Sequence, residues 1–227
     1  MAYYPLFLEL KGEKVLVVGG GRVAERKIKG LLDAGARVYV VAKELSPSMM
    51  ELKASSAFHY LGKDFRPEHL DGVRLVFVAT NDHSLNEFVS TSAKEKGLWV
   101  NVVDQPELCS FIVPSTIRRG KVIVAISSGG QSPALSKFLR ERLEGILPLG
   151  LSDFALFMGL LRKRVLSLKL GPDRDKEIFQ KIVGSQIMEK MIQGDFEDAK
   201  EICKNRLPVE IDWDRLFDEL QEILEKK

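Results

Sequence analysis

Short apolar runs alternate with longer amphipathic stretches from Lys14 onward, and this alternation dominates the first half of the chain. Runs rich in β-branched residues predict buried strands, and the stretches between most of them repeat their apolar side chains at helical spacing. Together they predict a parallel sheet with crossover helices. The predicted strands cover residues 15–18, 38–41, 58–61, 75–79 and 98–100. Residues 5–10 are predicted as an additional edge strand, a position where Pro5 is tolerated.

The alternation stops after Asp104. Residues 111–113 and 122–126 are apolar and lie on either side of a turn sequence at 118–120. This arrangement predicts an antiparallel pair of strands rather than another strand–helix unit.

The remainder of the chain has a helical pattern. Ser132 and Pro133 are the residue types preferred at an N-cap and at the first helical position, so a helix is predicted from Pro133. Nearly everything beyond Gly145 is helical in pattern, with breaks at glycine and proline. We therefore expect an α/β protein with three parts: an N-terminal Rossmann-type parallel sheet in residues 1–113, a central segment in 114–147 and a small all-helical C-terminal domain in 148–227.

A glycine-rich sequence, residues 19–24, follows the first predicted strand and opens the first predicted helix. It fits the GxGxxA fingerprint of dinucleotide binding in the context that the fingerprint requires. Gly19 permits the tight turn, Gly21 lets the backbone approach a pyrophosphate at the helix N-terminus, and Ala24 allows close packing of the helix on the strand. A glycine turn that serves only packing is the alternative.

The acidic residue that usually follows about 20 positions later, to bind the adenosine ribose, is absent. The second predicted strand ends at Val41 and Ala42, and Lys43 and Glu44 come next. Either Glu44 or backbone groups hold the ribose, or Lys43 favours a 2′-phosphate. The motif alone therefore leaves NAD and NADP open.

Ligands of an open parallel sheet bind beyond the carboxyl ends of its strands, so the residues that follow the strands are site candidates. Thr80 and Asn81 are candidates for hydrogen bonds to the nicotinamide ribose or carboxamide, with helix capping as the alternative. Asp104 places a carboxylate at the mouth of the predicted cleft, where it can accept the proton that accompanies hydride loss. An Asx turn is the alternative for Asp104.

A second polar loop, residues 127–132, ends at the predicted helix N-terminus before Pro133. Its small residues, including Ser128 and Gly129, suit the approach of an anionic group to the backbone. A capped helix start without a ligand is the alternative.

Composition and charge exclude several classes of protein. The 227 residues carry a net charge of +2, far below the surplus of a general nucleic-acid binder. The charge is +4 in residues 1–150 and −2 in the remainder. The two cysteines and three histidines lack metal-ligand spacing, so no metal site is expected. No apolar run approaches the roughly 20 residues of a membrane span, and no signal peptide is predicted, so we expect a cytoplasmic protein.

Taken together, these motifs resemble the precorrin-2 dehydrogenase and sirohydrochlorin ferrochelatase family, which also forms the N-terminal module of siroheme synthase. The resemblance covers roughly residues 1–150 in register, and the later helices follow it only loosely. The segments that carry it are residues 5–7, 17–27, 79–82, 101–104, 110–115 and 125–133.

The resemblance implies NAD-dependent oxidation of precorrin-2 to sirohydrochlorin, on the route to sirohaem. It implies that Asp104 is the catalytic carboxylate, and that the family manages without the ribose acid. It also implies a homodimer built through the central segment, residues 114–147, and a tetrapyrrole site. By position, Arg22, Val23, Lys43 and Glu44 correspond to NAD contacts, and Ser128 to the serine of the tetrapyrrole site. Asn101 and Gly129 are further candidates for the substrate side.

Two further readings follow from the same residues. In some members of the family the enzyme also inserts ferrous iron into sirohydrochlorin, so Fe²⁺ is a candidate second substrate. A non-catalytic NAD-sensing module is the alternative from another functional class. Such a module would keep the glycine loop but would have no use for Asp104 or the Ser128 loop.

Overall fold

The computed structural model describes residues 3–207 and 211–226. The chain divides into two compact units, of which the first ends at Val113 and the second begins at Pro114. The predicted division into three parts stays a prediction. No single helix in the described residues is long and apolar enough to cross a bilayer.

The first unit is a five-stranded parallel sheet with helices. The strand order is β3-β2-β1-β4-β5, and every pairing is parallel, as predicted. All carboxyl ends therefore lie along one edge of the sheet. The strands are β1 Lys14–Val18, β2 Arg37–Val41, β3 His59–Gly62, β4 Leu75–Val78 and β5 Trp99–Val102, and the helices are α1 Arg22–Asp33, α2 Pro47–Ala54 and α3 His83–Glu95. Short 3₁₀ turns cover Pro67–Leu70 and Pro106–Leu108.

Both faces of this sheet are covered, which explains the continuous apolar runs in its central strands. Val15 and Val17 of β1 share one core with Ile28 of α1. Leu16 of β1 points to the opposite face and shares a second core with Val89 of α3. A helix on each face thus fixes where the loops after β1 and β4 emerge.

The predicted edge strand at residues 5–10 is wrong, because this segment forms no strand. It joins β1 through a tight turn in which the Glu13 N–H donates to the Leu10 carbonyl at 3.0 Å. Since β1 is central and already pairs with β2 and β4 on its two sides, a segment joined to it by a tight turn has no neighbouring strand to extend. Leu6 and Phe7 are consequently exposed.

The second unit begins with the predicted antiparallel pair, formed by β6 Ser115–Arg119 and β7 Val122–Ile126. The first of these strands starts later than the predicted 111–113. Phe111, the first residue of that apolar run, packs in the first unit instead, where its ring lies edge-on against Phe77 with centroids 5.6 Å apart.

The remaining elements are helical, as predicted. They are α4 Pro133–Ile146, α5 Leu151–Ser167, α6 Pro172–Ile182, α7 Gln186–Gln193, α8 Phe196–Arg206 and α9 Trp213–Glu225. Ser132 caps α4, as predicted, by accepting a hydrogen bond from the Leu135 N–H. Helices α5 to α9 enclose one apolar core, centred on fully buried residues such as Phe157, Met191 and Leu216.

Candidate functional site

The loop after β1 brings its glycines very close to two neighbouring loops. A Cβ atom on Gly19 would lie 2.2 Å from the carbonyl oxygen of Ala79, and Gly19 has a φ of +124°. A Cβ atom on Gly20 would lie 2.0 Å from the carbonyl oxygen of Glu44. Both separations are far below van der Waals contact, so the packing of the strand ends itself requires glycine at positions 19 and 20.

Gly21 differs from both of these glycines. A Cβ atom there would meet nothing within 4 Å, and its φ of −89° is open to any residue. The protein's own packing therefore does not explain the absence of a side chain at this position. Close approach of a ligand to the backbone does explain it, as the fingerprint predicts.

The N-terminus of α1 is also suited to an anion. Its N-cap residue, Gly21, offers no side-chain acceptor, whereas Ser46 caps α2 and Asp82 caps α3. The first N–H groups of a helix lack intrahelical partners and carry its positive dipole end. Arg22 and Val23 are exposed beside them. The residues present thus fit the pyrophosphate of a dinucleotide.

The loop after β2 carries Lys43 and Glu44, both exposed. The Lys43 ammonium lies 3.6 Å from the carboxylate of Asp82, the residue that caps α3. This ion pair links the loops after β2 and β4. The hydrogen bond from the Leu85 N–H, followed by the charge of Lys43, lowers the pKa of Asp82 and keeps it ionised as the cap.

Thr80 and Asn81, in the loop after β4, have different surroundings. The Thr80 hydroxyl donates to the Oδ1 atom of Asn86 at 2.5 Å and accepts from the Asp82 N–H at 3.2 Å. Asn81 is exposed, and no contact of its side chain is seen among the described residues. The alternative role of helix capping falls to Asp82 rather than to either of them.

Asp104 lies in the turn directly after β5, at the carboxyl edge of the sheet. It is one of three non-glycine residues with positive φ in the described chain, with a φ of +60°. The left-handed conformation costs an L-residue roughly 1–2 kcal/mol, although aspartate tolerates it better than most. Its exposed carboxylate makes no hydrogen bond or ion pair with the described residues, so an Asx turn is not what places aspartate here.

Cys109 and Asn101 hold the segment that carries Asp104, and the role of Cys109 was not predicted. The Cys109 thiol shares its single S–H between the carbonyls of Val102 at 3.2 Å and Gln105 at 3.3 Å, on either side of Asp104. Burial raises the pKa of this thiol, so it stays protonated and able to donate. Asn101 is only 8% exposed, and its amide donates to the carbonyl of Phe111 at 3.0 Å. The amide of this predicted substrate contact is thus engaged within the protein.

Ser128 and Gly129 lie in the second unit, before α4. The Ser128 hydroxyl accepts from the Ser132 N–H and is 2.9 Å from the Ser132 carbonyl, to which it donates. It also lies 3.2 Å from the hydroxyl of Ser136. Gly129 and Gly130 follow with φ values of +64° and +83°. Ser128 therefore fixes the loop at the start of α4, while Gly129 is exposed.

No group of three or more histidine, cysteine, aspartate or glutamate side chains that could hold a metal ion occurs within the described residues.

Comparison with known proteins gives matches along most of the chain. Residues 6–115 match the family model described as putative NAD(P)-binding, and residues 119–146 match the model of the sirohaem biosynthesis protein central region. Siroheme synthase 3 of Aeromonas hydrophila is 41% identical over 204 residues, which are 89% of this chain and 44% of that protein. Siroheme synthase of Sodalis glossinidius is 42% identical over 207 residues, with 91% and 44% covered. The chain thus spans less than half the length of these curated relatives.

One solved structure matches throughout its own length. The structure of SirC, precorrin-2 dehydrogenase, aligns with 88% of this chain and 100% of that chain, at 31% sequence identity and a TM-score of 0.72.

Proposed function

The chain belongs to the family of SirC, precorrin-2 dehydrogenase, and on this basis we propose that it oxidises precorrin-2 to sirohydrochlorin with NAD as the hydride acceptor. The observation that carries the proposal is Asp104. An aspartate in a left-handed turn, with its carboxylate unpaired among the described residues, lies along the same sheet edge as the glycine loop. Unfavourable backbone conformations are concentrated at functional sites, where the rest of the structure maintains them.

The residues around β1 and β2 hold the cofactor. The backbone at Gly21 and the first N–H groups of α1 bind the pyrophosphate, with Arg22 and Val23 beside them. Lys43 and Glu44, in the loop after β2, are the residues that would contact the adenosine ribose of bound NAD. Bound NAD supplies the two-electron acceptor that the oxidation needs.

The loops after β4 and β5 serve the reacting end of the cofactor. Thr80 and Asn81 orient the nicotinamide ribose or carboxamide. Oxidation of precorrin-2 removes one hydride equivalent, for which bound NAD would be the acceptor, and one proton. Asp104 accepts that proton on its carboxylate and then releases it to solvent.

Asn101, Ser128 and Gly129 contribute to the substrate side in the proposal. Asn101 acts through its hydrogen bond to the Phe111 carbonyl, and Ser128 acts by stabilising the loop before α4. The exposed Gly129 N–H has the Ser127 hydroxyl as its acceptor at 3.0 Å, and an anionic carboxylate of the tetrapyrrole would compete with that bond. Because the substrate carries several carboxylates, basic residues near it would offset its charge.

The protein acts as a homodimer in this proposal. Helix α4 presents an apolar face to solvent, with exposures between 36% and 73%. The face consists of Leu135, Phe138, Leu139, Leu143 and Ile146. Their spacing is that of an amphipathic helix whose apolar stripe packs on a partner, and a second copy of this chain supplies such a stripe. Insertion of Fe²⁺ into sirohydrochlorin, a cytoplasmic location and the absence of nucleic-acid and membrane partners stay predictions from the sequence.

The test is to incubate the purified protein with NAD and precorrin-2 and to follow sirohydrochlorin and NADH absorbance. The wild type is expected to form both products, whereas Asp104→Ala is expected to lower the rate by about 10²–10⁴-fold, as for loss of a general base. NAD binding, measured by calorimetry, is expected to be unchanged in this variant. Asp64→Ala is the matched control, because Asp64 is also an exposed aspartate of the first unit.

Near-normal turnover by Asp104→Ala would remove Asp104 from the mechanism. Tight NAD binding without any turnover by the wild type would instead favour the NAD-sensing module.

A further inference from the structure

A buried amide in α3 contacts both of the loops assigned to the reacting end of the cofactor. Asn86 lies in the first turn of this helix and is only 2% exposed. Its Oδ1 atom accepts from the Thr80 hydroxyl at 2.5 Å, and its Nδ2 atom donates to the Thr80 carbonyl at 3.2 Å. The same Nδ2 atom donates to the Oε1 atom of Gln105 at 3.3 Å. One side chain thus bridges the loops after β4 and β5.

Gln105 is the residue that directly follows Asp104, and α3 holds its side chain at both terminal atoms. Oε1 accepts from Asn86, while Nε2 is hydrogen-bonded to the Nδ1 atom of His83, which is also in the first turn of α3. The Gln105 carbonyl accepts from the Cys109 thiol. The position after Asp104 is therefore restrained through both its side chain and its backbone.

These bonds make the positions of the two loops depend on each other. A buried amide that loses a hydrogen-bond partner leaves a polar group unsatisfied in the interior, so neither loop can move away from Asn86 without a desolvation penalty. The restraint matters for Asp104, whose left-handed conformation needs support from its surroundings. A displacement of 1 Å at a reacting group is enough to lower a rate on the order of 10²-fold.

We propose that Asn86, acting through Gln105, is a positioning residue that fixes the Asp104 carboxylate relative to the Thr80–Asn81 loop. The inference rests on the proposed function, since it assigns Asp104 to proton removal and Thr80 and Asn81 to the nicotinamide end. Asn86 touches neither substrate nor cofactor in this role. It sets the distance between the group that takes the proton and the loop that orients the hydride acceptor.

The first test is Gln105→Ala, which removes the bridge and leaves both bonds between Asn86 and Thr80. We expect kcat to fall by about 10- to 100-fold, with the KM for precorrin-2 and the Kd for NAD largely unchanged. Glu107→Ala is the matched control, because Glu107 is an exposed residue of the same loop, and its kcat should equal that of the wild type. A kcat for Gln105→Ala equal to that of the control would overturn the positioning role.

The second test uses Asn86→Asp, which keeps the size of the side chain and the acceptor for Thr80 but removes both Nδ2 donors. Its kcat is expected to fall at least as far as in Gln105→Ala, because the bond to the Thr80 carbonyl is lost together with the bond to Gln105. The double variant should lose no more than Asn86→Asp alone, because that change already breaks the connection to Gln105. Urea unfolding of each variant separates this effect from a loss of fold. Additive losses in kcat would show that the two residues act independently, against the proposal.

The two proposals fail in different ways. A wild type that binds NAD but makes no sirohydrochlorin overturns the proposed function and the positioning role with it. A wild type that turns over precorrin-2, combined with normal kcat in Gln105→Ala and Asn86→Asp, overturns the positioning role alone.

Discussion

The two units use their apolar side chains differently. In the first unit apolar residues cover both faces of the sheet, and the residues assigned to chemistry follow strand ends, where glycine backbone and exposed polar groups replace packing. In the second unit helices α5 to α9 bury one core, while α4 presents an apolar face to solvent. The contrast indicates that changes in the ligand-facing residues at the strand ends will alter binding and turnover, and that changes in helices α4 to α9 will alter stability or association.

The largest effect on folding is expected from Phe157→Ala in the second unit. Phe157 is fully buried, and its ring lies 5.4 Å from that of Phe217, centroid to centroid. Truncating a buried phenylalanine to alanine costs about 3–5 kcal/mol, which urea unfolding will measure. Leu166→Ala, on the exposed side of the same helix, is the control. If NAD affinity in the folded Phe157→Ala variant fell as well, the separation of roles between the units would be broken.

Two glycine variants test, within the first unit, the difference between a glycine required for packing and one required for ligand binding. Gly21→Leu is expected to weaken NAD binding at least about tenfold in Kd and to leave the free energy of unfolding nearly unchanged, because a Cβ atom at this position has no protein atom within 4 Å. Gly20→Ala is expected to lower the free energy of unfolding, because its Cβ collides with the Glu44 carbonyl. Calorimetry with NAD and urea unfolding separate the two effects. Unchanged NAD affinity in Gly21→Leu would count against the dinucleotide fingerprint.

The smallest effect on folding is expected from Phe138→Asp on α4. Phe138 is 51% exposed, and exposed substitutions usually change stability by no more than about 0.5 kcal/mol. The proposed dimer should nevertheless dissociate, because a charge would be placed in its apolar interface. Sedimentation equilibrium gives the mass of the wild type, of this variant and of the neighbouring control Lys137→Ala. A monomeric wild type would contradict the proposed interface.

Local patterns in the sequence were sufficient to predict most of the fold. The runs at 15–18 and 75–79 are apolar throughout because their strands are buried on both faces, so a short window identifies them. The prediction of a strand at residues 5–10 was wrong because a short stretch of sequence does not show which strands are neighbours in the sheet. Whether a neighbouring position beside β1 is vacant depends on the order of the whole sheet.

The candidate site was likewise predictable only in part. The glycine loop was predictable because its backbone requirements fall within six consecutive residues. The restraints on the segment around Asp104 were not predicted, because they join residues that are far apart in the sequence. Asn86 and Gln105, for example, are 19 positions apart. One signal was present: Asn86 occupies a position on the α3 face shared with Val89 and Ala93, where an apolar residue would be expected.

The backbone conformation of Asp104 has a consequence for how this position tolerates mutation. At a φ of +60°, glycine, asparagine and aspartate are accommodated best, and β-branched residues are strongly disfavoured. A library of all residues at position 104, screened for folded protein alone, should therefore enrich glycine and asparagine alongside aspartate. The same library screened for growth that depends on sirohaem should retain aspartate only. The difference between the two screens would distinguish what the turn permits from what the chemistry demands.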